Sequence, residues 1–230
     1  MPSIQDIIKN ATQNVAEKKV FQSEAQFQFE LAWEIKKLLE LPINNNLKDW
    51  EVNLEYLSAT FDYNGEHHRM FTDILLKNNK TNEYVPVELK HKLPSAPANL
   101  GRFDFWWDVH RVEWLKDNHL DTKQHKNLVI DKSLKGYKFL VGFAIIITSD
   151  KRYFTKTSRE IISKNFELTD GLDVSKGLHS WVKSDNSSIN DTWRDVDISL
   201  IRSYHCIWNT KPTGQTDTNK NEFKYLILEI

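Results

Sequence analysis

Asp73, Glu88 and Lys90 have the residue types and the spacing of a site for a divalent cation. Asp73 interrupts an otherwise apolar run, Met70-Phe71-Thr72-Asp73-Ile74-Leu75-Leu76. Glu88 and Lys90 lie in a second run, Val85-Pro86-Val87-Glu88-Leu89-Lys90. Side chains alternate faces along a strand, so Glu88 and Lys90 point the same way. Between the runs lies Asn78-Asn79-Lys80-Thr81-Asn82-Glu83, a turn-forming stretch. An antiparallel hairpin closed by that loop pairs Lys77 with Tyr84 and sets Asp73 opposite Glu88, with Cβ atoms about 4.5–5.5 Å apart. Two carboxylates so close repel each other unless a cation lies between them. Mg²⁺ suits such a place, being commonly held by one or two carboxylates together with water and substrate phosphate; Mn²⁺ is the expected substitute. The Leu89 carbonyl is a candidate further ligand. An ion held there would offset charge on a phosphate and acidify a bound water, and Lys90 would orient that water or steady developing negative charge. A plainer reading also exists, in which the three are exposed strand residues joined by a surface ion pair.

The elements that must position these residues are legible in outline. Ile4 to Lys19 has helical character. Ser23 has the chemistry of an N-cap, and Glu24 to Glu40 follow as a longer helix with Phe27, Leu31, Ile35 and Leu38 at helical spacing. Pro42 and the Asn44–Asn46 run end it. Trp50 to Tyr63, Arg69 to Lys77 and Tyr84 to Lys90 read as strands, and Pro94 and Pro97 stop the last of them. Phe103 to Asn118 reads as a helix with Phe103, Trp107, His110 and Trp114 on one stripe. Phe139 to Ser149 is a continuous apolar run, as expected of a buried central strand. Arg159 to Lys164 is a possible short helix, 171–218 gives no clear assignment, and Phe223 to Ile230 reads as a final strand. This order predicts an α/β fold, a mixed central β-sheet flanked by helices.

A helix, then Asp73, then Glu88-x-Lys90, then a helix and a buried strand resembles the restriction-endonuclease-like superfamily, often written PD-(D/E)xK. The resemblance covers about residues 20–150, with 151–230 as a C-terminal elaboration of one restriction-endonuclease-like domain spanning 1–230. Thr72 stands where the motif's name has proline. The resemblance implies a Mg²⁺-dependent endonuclease that hydrolyses phosphodiester bonds, in DNA rather than RNA, in restriction, repair or defence. It makes Asp73, Glu88 and Lys90 the catalytic set and admits a homodimer. It also implies an acid on the first core helix that helps bind metal. Glu24 fits best, sharing a face with Phe27, Gln28 and Leu31; its alternative role is a first-turn acid favoured by the helix dipole. Gln28 is a second candidate. On the helix after the motif, Asp104, Asp108 and Arg111 share a face. They would flank the site or meet a phosphate, although an intrahelical Asp108–Arg111 pair on the surface is the simpler expectation. Arg111, Lys151 and Arg152 are the candidate nucleic-acid contacts. Two rival readings remain: a nuclease-fold module that binds nucleic acid or a protein without cutting, and an unrelated α/β protein.

Composition sets the outer bounds. The chain has 230 residues, 40% hydrophobic and 27% charged, with a formal net charge of −1. These values are ordinary for a globular domain and argue against binding nucleic acid over the whole surface. Local basic clusters do occur, one around Lys123 to Lys138 and one from Lys151 to Lys164; each taken alone reads as solvated surface. Cys206 is the only cysteine, which excludes an intramolecular disulfide and a cysteine-rich zinc site. His205-Cys206 has no partner at zinc spacing. The longest apolar run is too short to cross a bilayer, and the first residues lack the pattern of a secretory signal. A cytoplasmic location with no membrane contact is the expectation. His67, His68 and His91 flank the motif strands and read as bystanders. Trp181, Trp193, Tyr204 and Trp208 read as core aromatics, with base stacking as their alternative.

Overall fold

The structure is a computed structural model that describes residues 2–18, 20–63, 65–94, 97–117, 125–156, 164–180, 197–210 and 222–230. Helices α1 (Ile4–Lys18) and α2 (Glu24–Leu39) come first. They are followed by strands β1 (Trp50–Tyr63), β2 (Glu66–Asn78) and β3 (Glu83–Lys92). Helix α3 (Ala98–Asp117) then precedes β4 (His125–Ile130), β5 (Lys138–Phe139) and β6 (Phe143–Thr148). The remainder supplies β7 (Leu172–Val174), β8 (Gly177–His179), β9 (Ile198–Leu200), β10 (Tyr204–Cys206), β11 (Trp208–Thr210) and β12 (Lys224–Glu229).

One sheet organises the molecule. Its order is β11-β12-β6-β3-β2-β1-β4, with β5 paired to β3. Strand β3 runs parallel to β5 and β6, and the other neighbours in this sheet are antiparallel, so the sheet is mixed. Helix α3 provides the long crossover that a parallel β3–β6 pair requires. Alternation along β6 shows the two layers. Phe143, Ile145 and Ile147 join the core under α1 and α2, whereas Ala144 and Ile146 join the core under α3. A strand covered on both faces is apolar throughout, and every residue of β6 is buried.

The β2–β3 hairpin has the register that its loop composition demands, with Lys77 paired to Tyr84. The ladder runs one pair beyond that, to Asn78 and Glu83. Asn78 Oδ1 accepts the amides of Lys80 at 2.9 Å and Thr81 at 3.0 Å, which folds the polar stretch into a tight turn.

Several expectations are corrected. The Phe139–Ser149 run is not one strand. Tyr84 pairs with Phe139 and Val87 with Phe143, so two residues between these pairs on β3 lie opposite three on the other chain segment, a one-residue bulge. Gly142 lies in that break, where a Cβ would come 2.2 Å from the Val112 side chain, so α3 rests directly on it. Helix α3 begins at Ala98 and not at Phe103, with the Pro97 carbonyl accepting Gly101 N–H at 3.2 Å. The C-terminal third adds strands to the main sheet and to the α3-side core. Strand β12 lies beside β6 inside the main sheet, while β10–β7 and β8–β9 form two small sheets whose buried residues join the α3-side core. Residues 159–163 of the expected short helix, together with Trp181 and Trp193, lie outside the described residues; Lys164–Phe166 is a 3₁₀ turn. No helix among the described residues is long and apolar enough to cross a membrane.

Candidate functional site

The site forms where β2 and β3 part company. Their ladder ends at Ile74 and Val87, and the next pair in register is Asp73 with Glu88. Beyond that point the amides of β3 that would bond to β2 need other acceptors, because a buried N–H without one is costly. Asp73 Oδ2 takes the Leu89 amide at 2.6 Å, and Glu24 Oε2 takes the His91 amide at 2.9 Å. Two acids are thus fixed by the opening of the hairpin.

Glu24 reaches this position from the first turn of α2. Ser23 caps the helix, its side chain accepting Gln26 N–H at 3.1 Å, and Phe27, Leu31 and Ile35 anchor the buried face. Gln28, one turn on, donates from Nε2 to the Asp73 carbonyl at 2.7 Å and to Glu55 Oε1 at 2.8 Å. Glu55 adds an acid that pattern reading does not find. It sits in β1 between residues paired to Thr72 and Ile74, directly across from Asp73, with φ of 48°. A left-handed glutamate inside a strand is strained, and such strain gathers at functional sites.

The sheet face toward α3 carries Glu88, Lys90 and Lys92 in alternation, and α3 meets them with Arg111, Asp108 and Asp104. The rungs are Glu88 Oε1 to Arg111 Nη2 at 3.4 Å, Lys90 Nζ to Asp108 Oδ2 at 2.7 Å, and Lys92 Nζ to Asp104 Oδ2 at 3.5 Å. Asp108 Oδ1 also lies 3.3 Å from Arg111 Nη1, Arg111 Nη2 donates to the Phe71 carbonyl, and Lys90 Nζ lies 3.7 Å from Glu24 Oε1. The Asp108–Arg111 pair is therefore not a surface feature: Asp108 is 3% exposed and Glu88 2%. Burial is dictated by the strand partners, which local sequence does not reveal.

Burial also sets the protonation balance. It pushes the Asp73 carboxyl up to about 6, with Lys90 opposing and Asp108 reinforcing the rise. It pushes Glu88 well above the usual carboxylate range, against Arg111 and with help from Asp73. Burial alone would pull the Lys90 ammonium down, but Asp108 and Glu24 outweigh it and hold the group charged. A carboxyl whose folded value is raised stabilises the fold below its unfolded value near 3.8 and loses that contribution as pH climbs through about 6. Metal-free Asp73→Asn is therefore expected to melt at or above the wild-type temperature at pH 7.5 and to lose that advantage near pH 4. Thermal melts in EDTA at both pH values check this, and a difference independent of pH would contradict it.

The remaining candidates lie elsewhere. Arg152 is locked on Asp150, with Nη2 2.6 Å from Oδ2, and also donates to the Pro94 carbonyl at 2.9 Å; Lys151 is exposed. His91 is a core histidine stacked against Phe223 at 6.4 Å, on the α1–α2 side of the sheet. His67 pairs with Asp62 at 3.1 Å, and His205 with Asp173 at 2.7 Å. Tyr204 and Trp208 are buried in the core, as their reading as core aromatics expects.

Among the described residues no three His, Cys, Asp or Glu side chains form a ready cage for an ion. The donor set nevertheless fits a hard divalent cation of the kind that keeps most of its shell as water and phosphate. Glu88 Oε1 is buried with its 3.4 Å ion pair to Arg111 and no hydrogen bond, and Asp73 spends only Oδ2 on the Leu89 amide. The Leu89 carbonyl accepts Lys90 Nζ at 3.2 Å. No protein-family model matches the chain, and neither a curated protein nor a solved structure does so.

Proposed function

We propose that the protein is a Mg²⁺-dependent nuclease of the restriction-endonuclease-like type, hydrolysing phosphodiester bonds in nucleic acid, with DNA favoured. One observation carries this reading: Asp73 and Glu88 form the next pair in register at the point where the hairpin opens, and Lys90 follows on Glu88's face. Asp73 and Glu88 would hold the ion, which supplies Lewis acidity toward a phosphate oxygen and a more acidic water. Glu24 stands beside them as an outer acid, bonded to His91 N–H and facing Lys90. Lys90 stays an ammonium because Asp108 and Glu24 flank it, so it offers a fixed positive charge where negative charge develops. Arg111, its side chain 18% exposed, bridges Glu88 and Asp108 and presents a guanidinium to an arriving phosphate.

A second reading is favoured by the same ion pairs. Because Glu88–Arg111 and Lys90–Asp108 already neutralise the cluster, a module that binds nucleic acid without cutting has the same appearance. Incubating the purified protein with supercoiled plasmid in Mg²⁺, Mn²⁺ or EDTA separates the two. Nicking or linearisation in either metal and none in EDTA is the expected result; binding without cleavage in all three supports the second reading.

A further inference from the structure

We propose that the protein acts on a strand whose nucleotide beside the cut is unpaired, and that it seats the base of that nucleotide in an aromatic cleft next to the acids. This rests on the nuclease reading above. The cleft, about 380 Å³, lies between the turn end of the β1–β2 hairpin and the middle of α3. That volume falls in the range of small-ligand sites. Its walls are mostly rings: Phe61 and Tyr63 from β1, His68 and Phe71 from β2, Phe103 and Trp107 from α3.

The rings are ordered. Phe61 stacks on His68 across the β1–β2 pair, with centroids 5.5 Å apart and planes at 22°, and Tyr63 meets His68 edge-on at 5.9 Å. Phe71 is 41% exposed although it neighbours the buried Thr72, so a large ring face is turned outward beside the site. Two guanidinium groups, Arg69 and Arg111, share the rest of the lining with Met70 and with Asp104, whose carboxylate is paired to Lys92 at 3.5 Å. Arg69 is exposed and forms no ion pair among the described residues. Arg111 belongs at once to the cleft and to the Glu88–Asp108 cluster.

This combination selects one occupant. Aromatic faces with flanking cations are how proteins hold unpaired bases and their phosphates. Bases in a duplex are stacked and paired, and they present no free ring face to such a cleft. A purely apolar ligand would leave the exposed Arg69 guanidinium unused, whereas Arg111 is already held by Glu88 and Asp108. Arg111 fixes the geometry: a phosphate placed on it lies at the acids, and the attached base lies at the rings.

The test reads binding apart from cleavage. The full chain in EDTA is titrated against three fluorescent oligonucleotides of equal length: oligothymidylate, a strand with the same phosphates but abasic sugars, and a duplex. Oligothymidylate is expected to bind at least about tenfold tighter than the abasic strand and tighter than the duplex. Phe71→Ala is expected to weaken oligothymidylate about fivefold or more while leaving the abasic strand unchanged, and Phe71→Trp is expected to keep the wild-type affinity. Arg69→Ala is expected to weaken both single strands equally. Equal affinity for thymidylate and abasic strands, or preference for the duplex, overturns the proposal even if the protein cuts plasmid. Base-dependent binding with no cleavage of either plasmid or single strand in Mg²⁺ or Mn²⁺ keeps the cleft and removes the nuclease assignment alone.

Discussion

Glu88→Gln is expected to abolish metal-dependent cleavage while leaving the protein folded. The substitution keeps shape and one oxygen but removes the negative charge that, on the proposed nuclease reading, would draw a cation between β2 and β3. Removing a single preorganised group in an active site commonly costs about 10²–10³ in rate; a residue that both holds the ion and fixes its charge belongs at or above the upper end. Stability moves little, for a physical reason. The Glu88 carboxyl is almost fully buried and its ionised form is disfavoured there, so a neutral isostere relieves desolvation while giving up the 3.4 Å pair with Arg111. Arg111 retains Asp108. The melting temperature is expected to stay within about 4 °C of wild type, the effect of about 1 kcal/mol in a domain of this size. Plasmid cleavage and thermal melts on the same preparation give both numbers. Cleavage within tenfold of wild type would remove Glu88 from the site and, with it, the nuclease reading.

What the sequence shows of this site depends on how local the physics is. The hairpin is local. A polar stretch rich in turn formers between two apolar runs sets the loop, the loop sets the register, and the register sets Asp73 opposite Glu88. The Ser23 cap and the α2 face are local too and show which side chains share a face with Glu24, but only the family resemblance implies that Glu24 or Gln28 stands beside the motif strands. Other features are not local. Asp108 and Arg111 sit three apart on one helix and by that spacing read as a solvated pair, yet Lys90 and Glu88 draw both of them under cover. Glu55 carries no sequence signal for a left-handed backbone, since only glycine and, to a lesser degree, asparagine and aspartate announce that conformation. The bulge between β5 and β6 is hidden because both flanks are apolar, and strand β4 is hidden because His-Lys-Asn-Leu-Val-Ile shows no clear alternation. Strands of three residues, as in β7 to β11, are too short for any periodicity to register.

Asp108 is where fold and chemistry are most tightly joined, and replacing it separates them. Its two oxygens serve Lys90 at 2.7 Å and Arg111 at 3.3 Å in a position 3% exposed. Losing one partner of a buried pair leaves an uncompensated charge, at a cost of about 3–5 kcal/mol. Asp108→Asn is therefore expected to be among the most destabilising single changes in the protein. It is also expected to change the pH dependence. In the wild type the Lys90 ammonium is held above its usual value, so its contribution is present at neutral pH and is lost only in strong base. Without Asp108, only Glu24 and Asp73 oppose burial, so the ammonium's folded value drops from its wild-type position. The variant's deficit relative to wild type therefore narrows as pH rises toward and beyond the usual lysine value. Pairing Asp108→Leu with Lys90→Met removes both charges and leaves neither side uncompensated. The double variant is expected to recover much of the lost stability, with a coupling of about 1 kcal/mol or more, but no cleavage, because the ammonium is gone. Urea unfolding of the single and double variants measures that coupling. Strict additivity would mean that Asp108 and Lys90 do not act as a pair. Recovered cleavage in the double variant would mean that Lys90 has no part in the chemistry.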